Sequence, residues 1–600
     1  MLETYEKRSA EFQAEIEAEE AKSLQASNRR TLVFGAAAAA FLAAGYAPIP
    51  AALATALYAV GPILLIVFFG LVIAHRRISE AIERATHLKQ LNLDACARLD
   101  RRWDDFPVPP TPVEFKDHPT ARDLDLFGQA SLFQLLNTAI TPIGRERLAD
   151  WISNPSDPEV AAARQPAVHE LSPQLDWRQQ LHFAGHHLKE RDQSANTMPV
   201  RQDDAPWIGQ MPTLRLAARL LPVAFFGLLL AQFGGLMSVP WWLVPLIIVA
   251  VLNRLFAKRI EHTLGDIRRE ELALQAYTSV FATLEELEPE SDWLAEQHRQ
   301  IDGAHGAVEQ LCNYATSNAA RGSIVYPLLQ YGLMWDFHVA YGVERWHAQH
   351  AAKVPGWFDA LAEIEAAASL ANLHHDEPDW TFPTFSAEKT IIAADLGHPL
   401  IDARTRVCND LTIDPPGQFL LVTGSNMSGK STLLRSLGLN LTLGQAGAPT
   451  CTIKFQIPPV QIVTSLRVED SLTEGVSFFM AELKRIKSAV QLADEPPAGR
   501  TVLYLFDEIL RGTNSVERQA IVQRLLGHLL QRDAIGAITT HDLALAEIDE
   551  LRPAAKAVHF REGFKDTPDG PKMTFDYQLR DGLATTTNAI KLLEMIDLEL

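Results

Sequence analysis

Residues 421–436 read LVTGSNMSGKSTLLRS. The apolar run at 419–422 has the length and composition of a buried strand, the segment from Gly424 to Gly429 cannot be regular structure, and Leu433, Leu434 and Leu437 recur at helical spacing. Strand, loop and helix in that order, with GxxxxGKS between them, predict a P-loop. Gly424 and Gly429 let the backbone turn its amides toward one point. Between them lie Ser425, Asn426, Met427 and Ser428. Lys430 brings a cation to the β and γ phosphates, and Ser431, with Thr432 beside it in the first helical turn, places a hydroxyl where Mg²⁺ binds. The expected ligands are therefore ATP and Mg²⁺.

Downstream, the apolar stretch TVLYLF at 501–506 runs into Asp507 and Glu508. A strand ending in two carboxylates supplies what the loop lacks: Asp507 for the Mg²⁺ shell and Glu508 to orient or deprotonate the attacking water. A further strand, AIGAITT at 534–540, ends at His541, which is placed to approach a γ phosphate. GVSFFMAELKRIK at 475–487 reads as a turn feeding an amphipathic helix, with Ser477 at its start. From residue 386 onward strands alternate with helices, which predicts an α/β domain built on a largely parallel sheet.

Four apolar stretches lie upstream, at 32–47, 51–74, 220–237 and 239–256. They predict two transmembrane hairpins, with Trp241 and Trp242 at an interfacial position. Arg29 and Arg30, Arg76 and Arg77, Arg215 and Arg219, and Arg254, Lys258 and Arg259 flank the outer ends, whereas the hairpin tips carry no Lys or Arg. The positive-inside rule predicts a multi-pass protein of the inner, cytoplasmic membrane, with its N-terminus, helical segments and α/β domain in the cytoplasm. No ionisable residue lies in the middle of any stretch, which favours an anchor over an ion path. The acidic, helical first thirty residues do not resemble a secretory signal.

The expected order is an acidic N-terminal helix (1–30), a first membrane hairpin (31–75), a helical segment (76–219), a second hairpin (220–256), a second helical segment (257–385) and the α/β domain (386–600). The helical patterns between 257 and 380 carry charges on most faces and predict solvated spacer arms. Six hundred residues exceed what one core can organise. Cys96, Cys312, Cys408 and Cys451 are widely spaced, which excludes a disulfide framework and a CxxC zinc site and predicts free thiols. With 54 Lys and Arg against 74 Asp and Glu, the net charge of −20 argues against coating nucleic acid by bulk electrostatics.

The motifs resemble those of the MutS mismatch-repair ATPases, a branch of the ABC-type ATPase superfamily. The resemblance rests on TGSNMSGKSTLLRS at 423–436, DSLTEGVSFFMAEL at 470–483, DEILRGTNSVE at 507–517 and TTHD at 539–542. LGHPLI at 396–401 and SLFQLLNTAITPIGRERLADWISNPSDPEVAAARQPAVHEL at 131–171 are similar to further elements of that family. It implies a C-terminal α/β P-loop (ABC-type) ATPase domain, preceded by an α-helical region like the MutS core and lever, here with four predicted transmembrane helices. It implies that Ser425 to Ser431 bind the nucleotide phosphates, that Ser431 and Asp507 place Mg²⁺, that Glu508 activates water and that His541 is the switch histidine. Ser477 would reach the partner's nucleotide across a homodimer. No GxFYE-type wedge occurs in this sequence, so the expected protein is a membrane-anchored, MutS-like ATPase that acts on DNA without the mismatch-reading domain. Two alternatives remain: an ATP-gated membrane scaffold with a protein client, and a component of an ABC-type transporter. Against the latter stand the very short extracytoplasmic loops and the lack of an LSGGQ-type signature.

Overall fold

A computed structural model of the protein describes residues 1–46, 50–112, 118–188, 206–269, 271–319, 321, 323, 325–414, 418–425, 427–467, 478–510, 514–567 and 570–584. The chain divides into two compact units, Met1–Val108 and Pro109–Leu600.

The first unit is a pair of long helices, Leu2–Tyr46 and Ala51–Leu99. Lys89 Nζ donates to Gln13 Oε1 at 2.8 Å, and the Phe34 and Phe68 rings lie 5.3 Å apart, so the helices run antiparallel. A helix of 45 residues is about 68 Å long, more than twice the hydrocarbon thickness of a bilayer. Each apolar stretch is thus continuous with a charged helical extension.

Four membrane spans were expected, but two helices among the described residues are long and apolar enough to cross a membrane, Ala51–Leu99 and Pro212–Phe233. Only 6 % and 11 % of their apolar stretches are buried within the chain, unlike the core helix of a soluble domain. The other two stretches do not meet that standard among the described residues. In the helix Leu2–Tyr46 the first stretch follows directly on Arg29, Arg30 and Thr31. At the fourth, Pro240, Trp241 and Trp242 lie outside the helix, which begins at Leu243 and meets Arg254 eleven residues later.

The second unit begins with helices. Pro142–Ser153 and Pro158–Leu171 pack on Val354–Asp376, the most buried helix of the region. Residues 257–380 were expected to form solvated spacers, and for this last helix the structure shows otherwise. Its Ala360, Ala362, Ala366, Ala367 and Ala371 are small enough on every side for neighbouring helices to approach closely, and all are buried. Its one fully enclosed carboxylate, Glu365, accepts hydrogen bonds from the Ile140 and Thr141 amides and from the Thr141 hydroxyl. Burial raises the pKa of this carboxyl even against those donors.

The C-terminal part is α/β with two sheets. Strands β1 (Thr384–Phe385), β2 (Ile391–Leu396), β3 (Asn409–Ile413) and, after β4 (Phe419–Thr423), β5 (Lys454–Ile457) are followed by β6 (Val460–Ser465) and β7 (Thr501–Asp507). β8 (Ile535–Thr539), β9 (Ala555–Thr567) and β10 (Gly570–Asp581) complete the set. The smaller sheet is mixed, in the order β1-β5-β2-β3. The larger runs β10-β9-β4-β8-β7-β6, parallel throughout except for β10 on its edge. β4 and β7 are fully buried apart from Asp507, as strands covered on both faces must be. β8 lies between them, with Thr539 in register with both Val422 and Asp507. The C-terminal ends of three strands thereby converge on one place.

Candidate functional site

At the end of β4 the chain turns through Gly424 (φ 137°), Met427 (φ 68°) and Gly429 (φ 107°) before the helix Lys430–Ala446 begins. Glycine is needed twice on conformational grounds and again on steric ones. A Cβ on Gly424 would lie 3.1 Å from the Phe560 carbonyl oxygen, and one on Gly429 would lie 3.2 Å from the Tyr577 ring. Leu433, Leu434 and Leu437 are buried, on the helical face that their spacing predicted.

Lys430 Nζ donates to the carbonyls of Gly424 at 2.9 Å and Ser425 at 3.0 Å, so its ammonium is folded over the mouth of the loop. It also lies 3.4 Å from Glu508 Oε1, which in turn is 2.8 Å from His541 Nε2. Ser431 Oγ donates to Asp507 Oδ2 at 2.6 Å, and Thr539 Oγ1 donates to Asp507 Oδ1. Glu508 has φ 46°, in the left-handed region, with its amide bound to Thr539 through the carbonyl at 3.2 Å and the hydroxyl at 3.1 Å. Two residues on, Leu510 (φ 62°) donates its amide to the buried Glu482 carboxylate at 2.6 Å. A non-glycine residue held at positive φ by hydrogen bonds on both sides is a form of strain that clusters at reactive sites.

These contacts gather Lys430, Ser431, Asp507, Glu508 and His541 around one point, beside the backbone of Gly424, Ser425, Met427, Ser428 and Gly429. Thr432 lines the same cavity. Asn426 and Ser477 lie outside the described residues. Among the described residues no trio of His, Cys, Asp or Glu is grouped to hold a metal by itself. A hydroxyl and a carboxylate already in contact, Ser431 and Asp507, suit a hard cation that takes its remaining ligands from water and phosphate.

The cavity holds about 450 Å³ and continues past the loop to His398, Ile401, Val407, Asn409, Phe560 and Tyr577. Of these, only His398 and Ile401 lie in a stretch that the motifs single out. Tyr577 is aimed by a bulge in β10 and by Asn409, which donates through Nδ2 to its carbonyl and accepts from the Leu579 amide. Ser425 Oγ donates to Glu562 Oε2 at 3.1 Å. Burial pushes the His398 imidazole down to about 4, and the nearby Arg435 and Arg406 guanidiniums push in the same direction. This ring is neutral at pH 7, and its Nδ1 accepts from the Leu400 amide.

Two helical-region segments grip this machinery. Asp123, fully buried, accepts from the amides of Leu466 at 2.9 Å and Arg467 at 3.3 Å, and pairs with Arg485 Nη1 at 2.9 Å. Arg164 donates to the Ala446 carbonyl at the end of the helix that starts with Lys430. There Gly447 (φ 91°) caps the helix and leaves no room for a Cβ against Arg164. A cation at a helix C-terminus is favourable. Arg164 also stacks over Trp151 at 3.6 Å.

Comparison with known proteins adds an independent finding. Residues 420–599 match the family model of MutS domain V. The chain is 29% identical over 258 residues to the DNA mismatch repair protein MutS of Geobacillus sp. (strain WCH70), covering 42% of this chain and 29% of that protein. It is 30% identical to the MutS proteins of Geobacillus kaustophilus (strain HTA426), over 247 residues, and Bacillus cereus (strain G9842), over 258 residues. Those alignments cover 40% and 42% of this chain and 26% and 27% of the relatives. The matched part thus spans less than a third of the length of these relatives.

Proposed function

We propose that the protein, whose residues 420–599 match the family model of MutS domain V, is a Mg²⁺-dependent ATPase, anchored in the cytoplasmic membrane, whose nucleotide cycle drives a paired, DNA-directed conformational change. The observation that carries the reading is the convergence of Lys430, Ser431, Asp507, Glu508 and His541 on the 424–429 loop.

The residues fit their expected ligands. Backbone amides of the loop and Lys430 bind the phosphates, and the rest of the cavity, with Tyr577 and the neutral His398, accepts the nucleoside. Ser431 and Asp507 would hold Mg²⁺, which supplies neutralisation of phosphate charge. In the structure Glu508 is shared between Lys430 and His541. A bound terminal phosphate competes for Lys430, releasing one side of the Glu508 carboxylate toward water. Glu508 then accepts a proton as the water oxygen attacks the γ phosphorus and the bond to the β–γ bridging oxygen breaks, with ADP as the leaving group. His541 keeps hold of Glu508 and reports on the phosphate beside it.

The dimer and the action on DNA are supported by kinship to proteins named for DNA mismatch repair, and Ser477 is proposed to act across that dimer. Anchoring is supported by the two unburied apolar helices. The charge of −20 favours a second reading, an ATP-gated scaffold for a protein client, because bulk electrostatics repel DNA. Hydrolysis by the detergent-solubilised protein, measured with no DNA and with matched, mismatched or branched duplex, separates the two. Stimulation that fades steeply with salt supports DNA. ATP-dependent capture of a protein without any DNA effect supports the scaffold. Absence of hydrolysis in the wild type, or full hydrolysis in Glu508→Ala, refutes the site.

A further inference from the structure

A second cavity, of about 560 Å³, lies far from the nucleotide site in sequence and is lined by Trp207, Lys258, Arg259, His262, Glu344 and His347 among others. Its size is that of a small-molecule pocket. The indole of Trp207 forms one wall. It stacks on Phe256 with centroids 5.3 Å apart and a 13° tilt, and its Nε1 donates to Thr263 Oγ1 at 3.2 Å. The Arg259 guanidinium lies 5.9 Å from the Trp207 ring centre.

The charges do not cancel. Glu344, the cavity's acidic side chain, accepts from the amides of Trp207 at 2.9 Å, Ile208 at 3.0 Å and Gly209 at 2.8 Å, so three backbone dipoles already compensate it. Lys258 and Arg259 are exposed, and neither forms an ion pair among the described residues. Two cations therefore face a half-apolar hollow with no counter-charge of their own.

The cavity also sits where apolar surface begins. Trp207 precedes the helix Pro212–Phe233, and Lys258 and Arg259 follow the apolar part of Leu243–Arg269. Along the first helix Leu216, Leu220 and Val223 are exposed, and along the second Val244, Ile248, Val251 and Leu255. These positions recur at three- and four-residue intervals, forming one lengthwise stripe on each helix. Tryptophan and basic residues at the foot of such stripes are the side chains that hold a headgroup at a membrane boundary.

From this we propose that the cavity binds the phosphate headgroup of an anionic phospholipid, with Lys258 and Arg259 on the phosphate, Trp207 against the glycerol, and the acyl chains along the two stripes. The proposal rests on the membrane anchoring above, but its test does not depend on it. The full chain is held in a phosphate-free neutral detergent, with excess ADP and Mg²⁺ filling the nucleotide site. Phosphorus NMR then follows short-chain phosphatidylglycerol, short-chain phosphatidylcholine, glycerol phosphate and inorganic phosphate in turn. Phosphatidylglycerol is expected to broaden on binding, at least tenfold more weakly with Lys258→Ala/Arg259→Ala, while Arg76→Ala/Arg77→Ala binds as wild type. Retained ATP hydrolysis by the first double variant establishes that it is folded. Equal binding of inorganic phosphate or of phosphatidylcholine overturns the anionic-lipid assignment, and so does an unchanged affinity in that variant. Failure of the chain to remain in carbonate-washed membranes would refute the anchoring instead.

Discussion

Replacing Asp123 by alanine should open the end of β6 without melting the sheet. Asp123 comes from the helical region and accepts from both amides that follow β6, Leu466 and Arg467, while pairing with Arg485 on the next described helix. Asp123 is fully buried, whereas the Arg485 side chain retains 17% exposure. Removing one partner of a buried ion pair costs about 3–5 kcal/mol, and the partial access of Arg485 to water places this pair near the lower end, at about 3 kcal/mol. That corresponds to about 100-fold faster local opening, since each 1.4 kcal/mol is a factor of about ten. Hydrogen exchange followed by mass spectrometry reads this directly in peptides containing Leu466 and Arg467. Asp123→Asn keeps an acceptor oxygen but loses the charge, and should show about a tenfold effect. Arg485→Ala combined with Asp123→Ala should cost less than the sum of the single changes. Exchange at 466–467 within threefold of wild type in Asp123→Ala would refute the reasoning, as would an equal rise in β7, which would make the effect global.

Glu508→Gln should retain ATP binding while hydrolysis falls by about 10²–10⁴-fold, the range for losing a positioned general base; equilibrium binding and phosphate release measured on one preparation check both halves. The His398 ring sits at about 4 in the folded chain against an ordinary value of about 6.5. The unfolded chain therefore binds more protons between those values, so stability is full above about pH 6.5 and falls as the pH drops toward 4, by up to about 3 kcal/mol. Melting temperature against pH should be flatter for His398→Gln over that window. Val223→Arg places a charge within the apolar helix Pro212–Phe233 and should cost about 2.5–3.5 kcal/mol of insertion; the fraction resisting carbonate extraction reports it, and an unchanged fraction counts against a span there.

The loop at 424–429 was legible because everything that shapes it is local. Two glycines, a lysine and a serine at fixed offsets determine where the turn and the helix start, and the apolar run before them has to be a strand. Asp507 and His541 were legible because each ends an apolar run. What local pattern does not carry is which strands become neighbours, and so the role of Thr539 in bridging Asp507 and the Glu508 amide emerges only when β8 lies between β4 and β7. Tyr577, Phe560 and Glu562 enter from the β9–β10 hairpin, more than 120 residues beyond the loop they touch, with no spacing that announces them. The membrane stretches were over-read for the opposite reason. Apolar composition was counted across Pro240, Trp241 and Trp242, where the backbone leaves the helix, and a hydropathic run is a span only if its backbone satisfies itself throughout. The helix Val354–Asp376 was misread because charge was weighed above size. Alanine on nearly every face permits close packing, and a single buried glutamate can be satisfied by two amides and a hydroxyl.

The helical region holds the candidate site at more than one place, and the places differ in kind. Arg164 binds the rear of the helix that begins with Lys430, where Gly447 lets Pro158–Leu171 approach closely, so displacement of Pro158–Leu171 would pull along the axis of Lys430–Ala446. Asp123 instead fastens the exit of β6 to Arg485, three residues beyond Glu482, whose carboxylate holds the turn after Glu508 through the Leu510 amide. One route leads to the 424–429 loop and the other to Glu508. Under the proposed function, a rigid-body shift of the helices would act on binding and on hydrolysis through separate side chains. On this reading, Arg164→Ala should chiefly weaken nucleotide affinity while Asp123→Asn chiefly lowers turnover. Equal effects of both variants on both quantities would show that a single, undivided coupling joins the arms to the site.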